Sequence, residues 1–216
     1  MNNTSQRSKS QDRSRQEIRE DLIESARKRL RGESIDEFST KNVVEDSDTS
    51  RQMIYTLFGG KAELLSAVYQ EQARRLANQL DEVEAEDPVE RFFLLGRDYR
   101  QFMLDNAALF DRMLSLEASQ NYRGGGPLVT RTEAHEHFDE VLRDCRAAGI
   151  IPEDTDVEKL TDELWASANG IIRLEIIGYF PDEETARDHF YDLVSNILGG
   201  VSTEGLNPFP GNDPTG

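Results

Sequence analysis

Arg51, Gln52, Tyr55 and Thr56 fall within two helical turns and combine side-chain types suited to reading nucleobases. A guanidinium and a carboxamide make paired hydrogen bonds, to guanine and adenine edges respectively. The two hydroxyls, with the Lys61 ammonium close behind, suit phosphate oxygens. Other chemistry-bearing residues are less well placed. His135 and His137 are two apart, which on a helix sends their rings to different faces and argues against a shared metal ion. Gly124-Gly125-Gly126 lacks the Lys-Ser/Thr of a phosphate loop and follows no strand. Cys145 is the only cysteine; it excludes a disulfide framework and reads as a passive, partly buried thiol. His189 reads as a structural or interface residue. Nucleophile, base and orienting group nowhere occur together, so no catalytic residue, metal ligand or cofactor is expected.

For four polar side chains to project together, they need a short helix with an apolar rear face. Ile54 and Phe58, four apart, supply that face and can pack on Val43, Leu22 and Ala26. An upstream helix carries the stripe Ile18, Leu22, Ile23, Ala26 and Leu30, with Arg27, Lys28, Arg29 and Arg31 near its C-terminal end, where they complement the helix dipole. Ser39 is a suitable N-cap for a second helix containing Val43 and Val44. Asp46-Ser47-Asp48 breaks it, Thr49 or Ser50 caps a third helix over 51–57, and Gly59-Gly60 ends that one. Lys61 then begins a long helix to about Val83. Three short helices with a tight turn between the second and third form a helix-turn-helix layout.

Further helices are expected at about 88–104, 106–119, 129–148, 155–177 and 183–198, with stops at Gly149/Pro152 and Gly178/Pro181. No period-two pattern persists long enough for a strand and no internal repeat is found. The fold class is therefore all-α, with about nine helices. Its expected divisions are a disordered arm over 1–14, a helix-turn-helix domain over 15–61, a helical bundle over 62–200 and a disordered tail over 201–216. The helix around Leu160, Leu164, Trp165, Ala168, Ile171, Ile172 and Leu174 is apolar over so broad a face that it belongs inside a bundle or between two subunits.

Charge separates the same two regions. The chain has 216 residues, 25 basic and 42 acidic, for a net −17. Residues 1–61 hold 12 basic and 11 acidic residues, whereas the remainder holds 13 and 31. A strongly acidic body repels polyanions, so a nucleic-acid partner would meet the N-terminal segment alone. Five Lys against twenty Arg, beside so many acids, fit either a chain kept soluble in concentrated salt or a coding bias. No apolar run approaches the ~20 residues of a membrane span, and residues 1–16 have no apolar signal core. A soluble, cytoplasmic protein is expected.

The stretch Ile54-Tyr55-Thr56-Leu57-Phe58-Gly59-Gly60-Lys61-Ala62-Glu63-Leu64-Leu65 resembles the tetracycline-repressor (TetR) type of regulator, in which an apolar-Tyr-x-x-Phe block is followed by Lys-x-x-Leu. Leu22-Ile23-Glu24-Ser25-Ala26 and Phe38-Ser39-Thr40-Lys41-Asn42-Val43-Val44 sit at the family's distances upstream. Asp48, Thr49, Ser47 and Ser34 depart from the usual Gly, small apolar, Ala and Gly, and Asp46 and Asp48 place negative charge near the expected DNA surface. The resemblance covers residues 15–68 and implies a homodimeric, ligand-responsive transcriptional regulator, a repressor, on a palindromic double-stranded DNA operator. DNA contacts are then expected from Ser39, Thr40, Lys41, Ser50, Arg51, Gln52, Tyr55, Thr56 and Lys61.

Leu164-Trp165-Ala166-Ser167-Ala168-Asn169-Gly170 resembles the Trp…His-Gly segment of one C-terminal subtype, with Asn169 in place of the His. The resemblance implies pairing of two subunits through their last two helices and a small effector in the bundle. Phe102, Met103, Phe110, Met113 and Leu114, on helices expected to face Trp165, Asn169 and Ile172, would line a pocket for a small, largely apolar molecule. Most of these residues taken singly read as ordinary bundle core, Trp165 and Asn169 suiting either role, and control by a protein partner is the alternative.

Overall fold

The computed structural model describes residues 3–32, 38–47, 49–110 and 131–201. Helix α1 is Asn3–Gly32, α2 Thr40–Glu45, α3 Arg51–Leu57, α4 Lys61–Leu80, α5 Pro88–Asp105, α6 Glu133–Ala147, α7 Val157–Ile176 and α8 Glu183–Val201. With the helical residues 107–110 these make nine helical segments and no strand among the described residues.

Helix α1 begins at Asn3, inside the stretch expected to be a disordered arm. Residues 1–31 contain neither Gly nor Pro, and Gln, Arg, Lys and Ser are tolerable helix formers, so nothing local stops the helix from running back. Expectations for residues 111–119, the Gly124–Gly126 loop, Ser34, Asp48 and the tail over 202–216 lie outside the described residues.

Two compact units divide the chain: Met1–Gln72 with Ala108–Thr130, and Ala73–Ala107 with Arg131–Gly216. The first therefore extends past residue 61 into α4. The physical reason is apolar: Leu64, Leu65, Val68 and Tyr69 of α4 share one buried core with Leu22, Ala26 and Leu30 of α1, Phe38, Val43 of α2 and Ile54 of α3. Ile54 is completely buried, which contributes about 2–3 kcal/mol to the unit. Helix α1 packs on α2, and α2 on α3.

In the second unit α5 packs on α6 and α7, α6 on α7, and α7 on α8. Sequence signals set the boundaries. Asp87 accepts from the backbone of Val89 and Glu90 to cap α5, whose first residue is proline. Asp156 likewise caps α7. At the other end of α7 the chain turns back on itself: Tyr179 N–H donates to Leu174 O and Gly178 N–H to Glu175 O, with Gly178 at φ +72°. Gly149 closes α6 in the same left-handed conformation. No helix among the described residues is long and apolar enough to cross a membrane.

Candidate functional site

Helix α3 is short because its residues allow little else. Ser50 occupies the N-cap position in an extended conformation. At the far end Phe58 N–H donates to Ile54 O and Gly59 N–H to Tyr55 O, and Gly59 turns the chain at φ +99°. Ile54 faces the core and Phe58 is half-buried against it, with the Arg19 guanidinium 5.3 Å above the Phe58 ring. Arg51, Gln52, Tyr55 and Thr56 are all exposed. Tyr55 keeps 51% of its surface in solvent, unusual for a large aromatic residue.

The surroundings hold that helix in place more than they extend it. Ser39 Oγ accepts from Asn42 N–H at 3.2 Å, capping α2. Thr40 is buried, whereas Lys41 is exposed and pairs loosely with Glu45 at 3.9 Å. Arg29 of α1 grips Asp46, just after α2, with two bonds of 2.6 and 2.8 Å. The Asp46 charge thus has an internal cation beside it, which reduces its repulsion of a polyanion.

Lys61 behaves differently from a free phosphate ligand. Its Nζ donates to Phe38 O at 2.6 Å and lies 5.3 Å from the Phe38 ring centre. A cation at a helix N-terminus opposes the helix dipole, and the carbonyl and the ring face offset that cost. Lys61 ties α4 to the segment before α2 and so positions the recognition unit. Thr56 Oγ1 donates to Gln52 O at 2.9 Å, which leaves its hydroxyl oxygen only accepting capacity outward.

The second unit contains a cavity of about 30 Å³, room for one or two waters. Helix α5 contributes Phe92, Gly96 and Tyr99, α6 Phe138, α7 Thr161, Leu164, Trp165 and Ala168, and α8 Phe190 and Val194. Of the residues expected to line a ligand pocket, Trp165 is in this lining. Phe102, Met103 and Ile172 are buried in the same unit away from the cavity wall, while Phe110 belongs to the first unit. Asn169 Nδ2 donates to Trp165 O, one turn back on its own helix. Met113 and Leu114 lie outside the described residues. The missed lining was legible as stripes, Phe92-Gly96-Tyr99 and Thr161-Leu164-Trp165-Ala168, but a stripe marks a buried face without marking where along it packing leaves a gap.

Several polar groups near the cavity have partners, although Thr161 Oγ1 and Asp139 Oδ1 are buried without a hydrogen bond among the described residues. His135 stacks on Trp165 with ring centres 3.8 Å apart, and its Nδ1 accepts from Thr132 N–H. Burial, and then the nearby Arg131 charge, lower the His135 pKa from its ordinary value. His137, by contrast, reaches Asp81 at 3.5 Å, so the two rings have separate surroundings. Arg131 joins Asp139 at 2.6 Å and Asp162. Arg100 and Glu175, 7% and 11% exposed, form a two-pronged ion pair between α5 and α7. Burial pushes the Cys145 thiol up to about 11, the behaviour of an inert core residue. His189 stacks on Phe180 at 5.1 Å. Among the described residues no three His, Cys, Asp or Glu side chains converge as metal ligands would.

Residues 92–197 match the family described as tetracyclin repressor-like, C-terminal domain. No curated protein matches the sequence. Among solved structures, a protein of unknown function from Rhodococcus sp. RHA1 gives a TM-score of 0.67 at 17% identity, covering 86% of this chain and 95% of that one. RolR, solved in complex with its ligand resorcinol, gives 0.66 at 18% identity, over 88% of this chain and 90% of its own. A TetR transcriptional regulator from Rhodococcus sp. RHA1 gives 0.62 at 17% identity, over 85% and 97%. At such identities the likeness is one of fold.

Proposed function

We propose that this chain, which belongs to the tetracycline-repressor family through residues 92–197 and shares that family's fold, is a cytoplasmic repressor that reads a DNA operator with α3 and answers to a small molecule. One observation carries the reading: Arg51, Gln52, Tyr55 and Thr56 are exposed together while Ile54 of the same short helix is completely buried. Arg51 and Gln52 address base edges, and Tyr55, Thr56, Ser50 and Lys41 address phosphates. Ser39, Thr40 and Lys61 act by holding α2 and α4 where the groove requires them.

A homodimer through α7 and α8 places two such helices on half-sites ~34–36 Å apart. Exposed Ile177 and Tyr179, between those helices, support an apolar contact there. An effector acts by favouring a conformer that no longer matches the half-site spacing, and only by its differential affinity for the two conformers. A neighbour of this fold that holds resorcinol supports a small-molecule effector. The small volume of the cavity is the observation favouring the second reading, control by a protein partner.

Selection of bound fragments from a random DNA pool tests the assignment. A palindromic consensus is expected, and Gln52→Ala costs ~1–3 kcal/mol and relaxes one base position per half-site. An unchanged consensus with both Arg51→Ala and Gln52→Ala overturns it.

A further inference from the structure

Thr161 is one of several side chains of the second unit with a buried polar atom that makes no hydrogen bond, beside Asp139 Oδ1 and Arg187 Nε. Thr161 is only 1% exposed, it lines the cavity, and its Oγ1 has no hydrogen-bond partner among the described residues. A helical threonine ordinarily bonds the carbonyl one turn back; this one does not. A buried hydroxyl is costly to leave without a partner, so a molecule that accepts from or donates to it gains a hydrogen bond there.

Other features of the cavity narrow the class of that molecule. Among the described residues no charged side chain lines it. The nearby buried cation, Arg100, is held by Glu175, and Arg131 is held by Asp139 and Asp162. A charged ligand would lose its hydration and find no counter-ion. The walls are aromatic: Tyr99 lies 4.6 Å from the Trp165 ring centre, and Phe138 meets both rings edge-on at 6.1 Å. Rings meet such walls well, edge to face or offset.

We infer that the cavity is the core of a site for a small uncharged aromatic compound whose single polar group hydrogen-bonds Thr161 Oγ1. This deepens the small-molecule part of the proposed function and rests on it. An apolar cavity that takes a benzene ring measures on the order of 150 Å³, so α5, α6, α7 and α8 must part when the compound enters. The ligand therefore favours an expanded bundle over the closed one, which is the differential affinity an effector requires.

Phenol and toluene, equal in shape and differing by hydroxyl against methyl, are the probes, and emission of Trp165, the single tryptophan, is the readout on the full chain without DNA. Phenol is expected to bind more tightly than toluene by about three- to tenfold, the worth of one hydrogen bond. Thr161→Val keeps the shape, breaks no bond within the protein, and is expected to abolish that preference while leaving toluene binding unchanged. Gly96→Ala is the filling variant. Its added Cβ meets only Phe190 Cε1, at an ordinary 3.8 Å, so the helix folds and both probes lose at least tenfold in affinity. Absence of phenol binding in the wild type, a preference that survives Thr161→Val, or unchanged binding in Gly96→Ala each overturns the site. Operator affinity measured on the phenol-saturated wild type reads the effector role separately: unchanged affinity removes the effector role and leaves the site standing.

Discussion

The two units of this chain use opposite means to hold functional side chains. In the first, an apolar core pins the rear of α3, and the groups for chemistry stand outside it in water. Its ion pair of Arg29 with Asp46 is partly exposed to water, where such a pair is worth little. In the second, polar groups are taken into the core itself: the Arg100–Glu175 pair, His135 against Trp165, and Thr161 without a hydrogen-bond partner among the described residues. A surface for a large charged partner needs exposure and rigidity. A site for a small neutral molecule needs enclosure, and enclosure makes every unpaired polar atom expensive.

The largest test of that contrast falls on the second unit. Arg100→Met leaves the part-buried Glu175 carboxylate without its cation and is expected to cost about 2–4 kcal/mol, whereas Arg100→Met with Glu175→Met recovers most of it. Denaturant titration followed by Trp165 emission checks both; a single variant no less stable than the double would break the comparison. In the first unit, Ile54→Ala should cost about 2–4 kcal/mol by leaving a cavity. At 25 °C it should lose helical circular dichroism stability without altering Trp165 emission.

A smaller effect is expected at the end of α3. Gly59→Ala meets no close atom, since the nearest is Glu63 Cδ at 3.7 Å, but it must hold φ +99°. That strain costs about 1–2 kcal/mol and should appear as a lowered thermal midpoint with a weaker operator complex. The smallest effect is on pH dependence. The folded pKa of His135 is lowered, so the unfolded chain takes up a proton near pH 6.5 that the folded chain refuses. Stability is fully present above that value and falls as pH drops through the folded pKa. His135→Gln should lose less of its thermal midpoint between pH 7.5 and 5.5 than the wild type does.

Much of the first unit was legible because its signals are local. Ser39 as a cap, Gly59 after the helix and the Ile54/Phe58 pair each act within a turn or two of their own position. The role of Lys61 was less so, because the carbonyl it holds belongs to Phe38, distant in the chain. In the second unit the helix boundaries were legible for the same local reason, through Asp87, Asp156 and Gly178. The cavity was not. Phe102 and Met103 carry the same apolar signal as Phe92 and Tyr99, and only the packing of four helices separates wall from ordinary core.

What the sequence determined by itself was periodicity and punctuation: an all-helical chain, a short polar-fronted helix ending at glycine, and a basic-leaning beginning joined to an acidic body. These follow from backbone geometry and charge, which each residue carries wherever it lies. Tertiary structure decided which polar groups were paired and which were left alone, because pairing depends on residues far apart in the chain meeting within about 3 Å. Arg100 found Glu175 in that way, and Thr161 found no hydrogen-bond partner among the described residues.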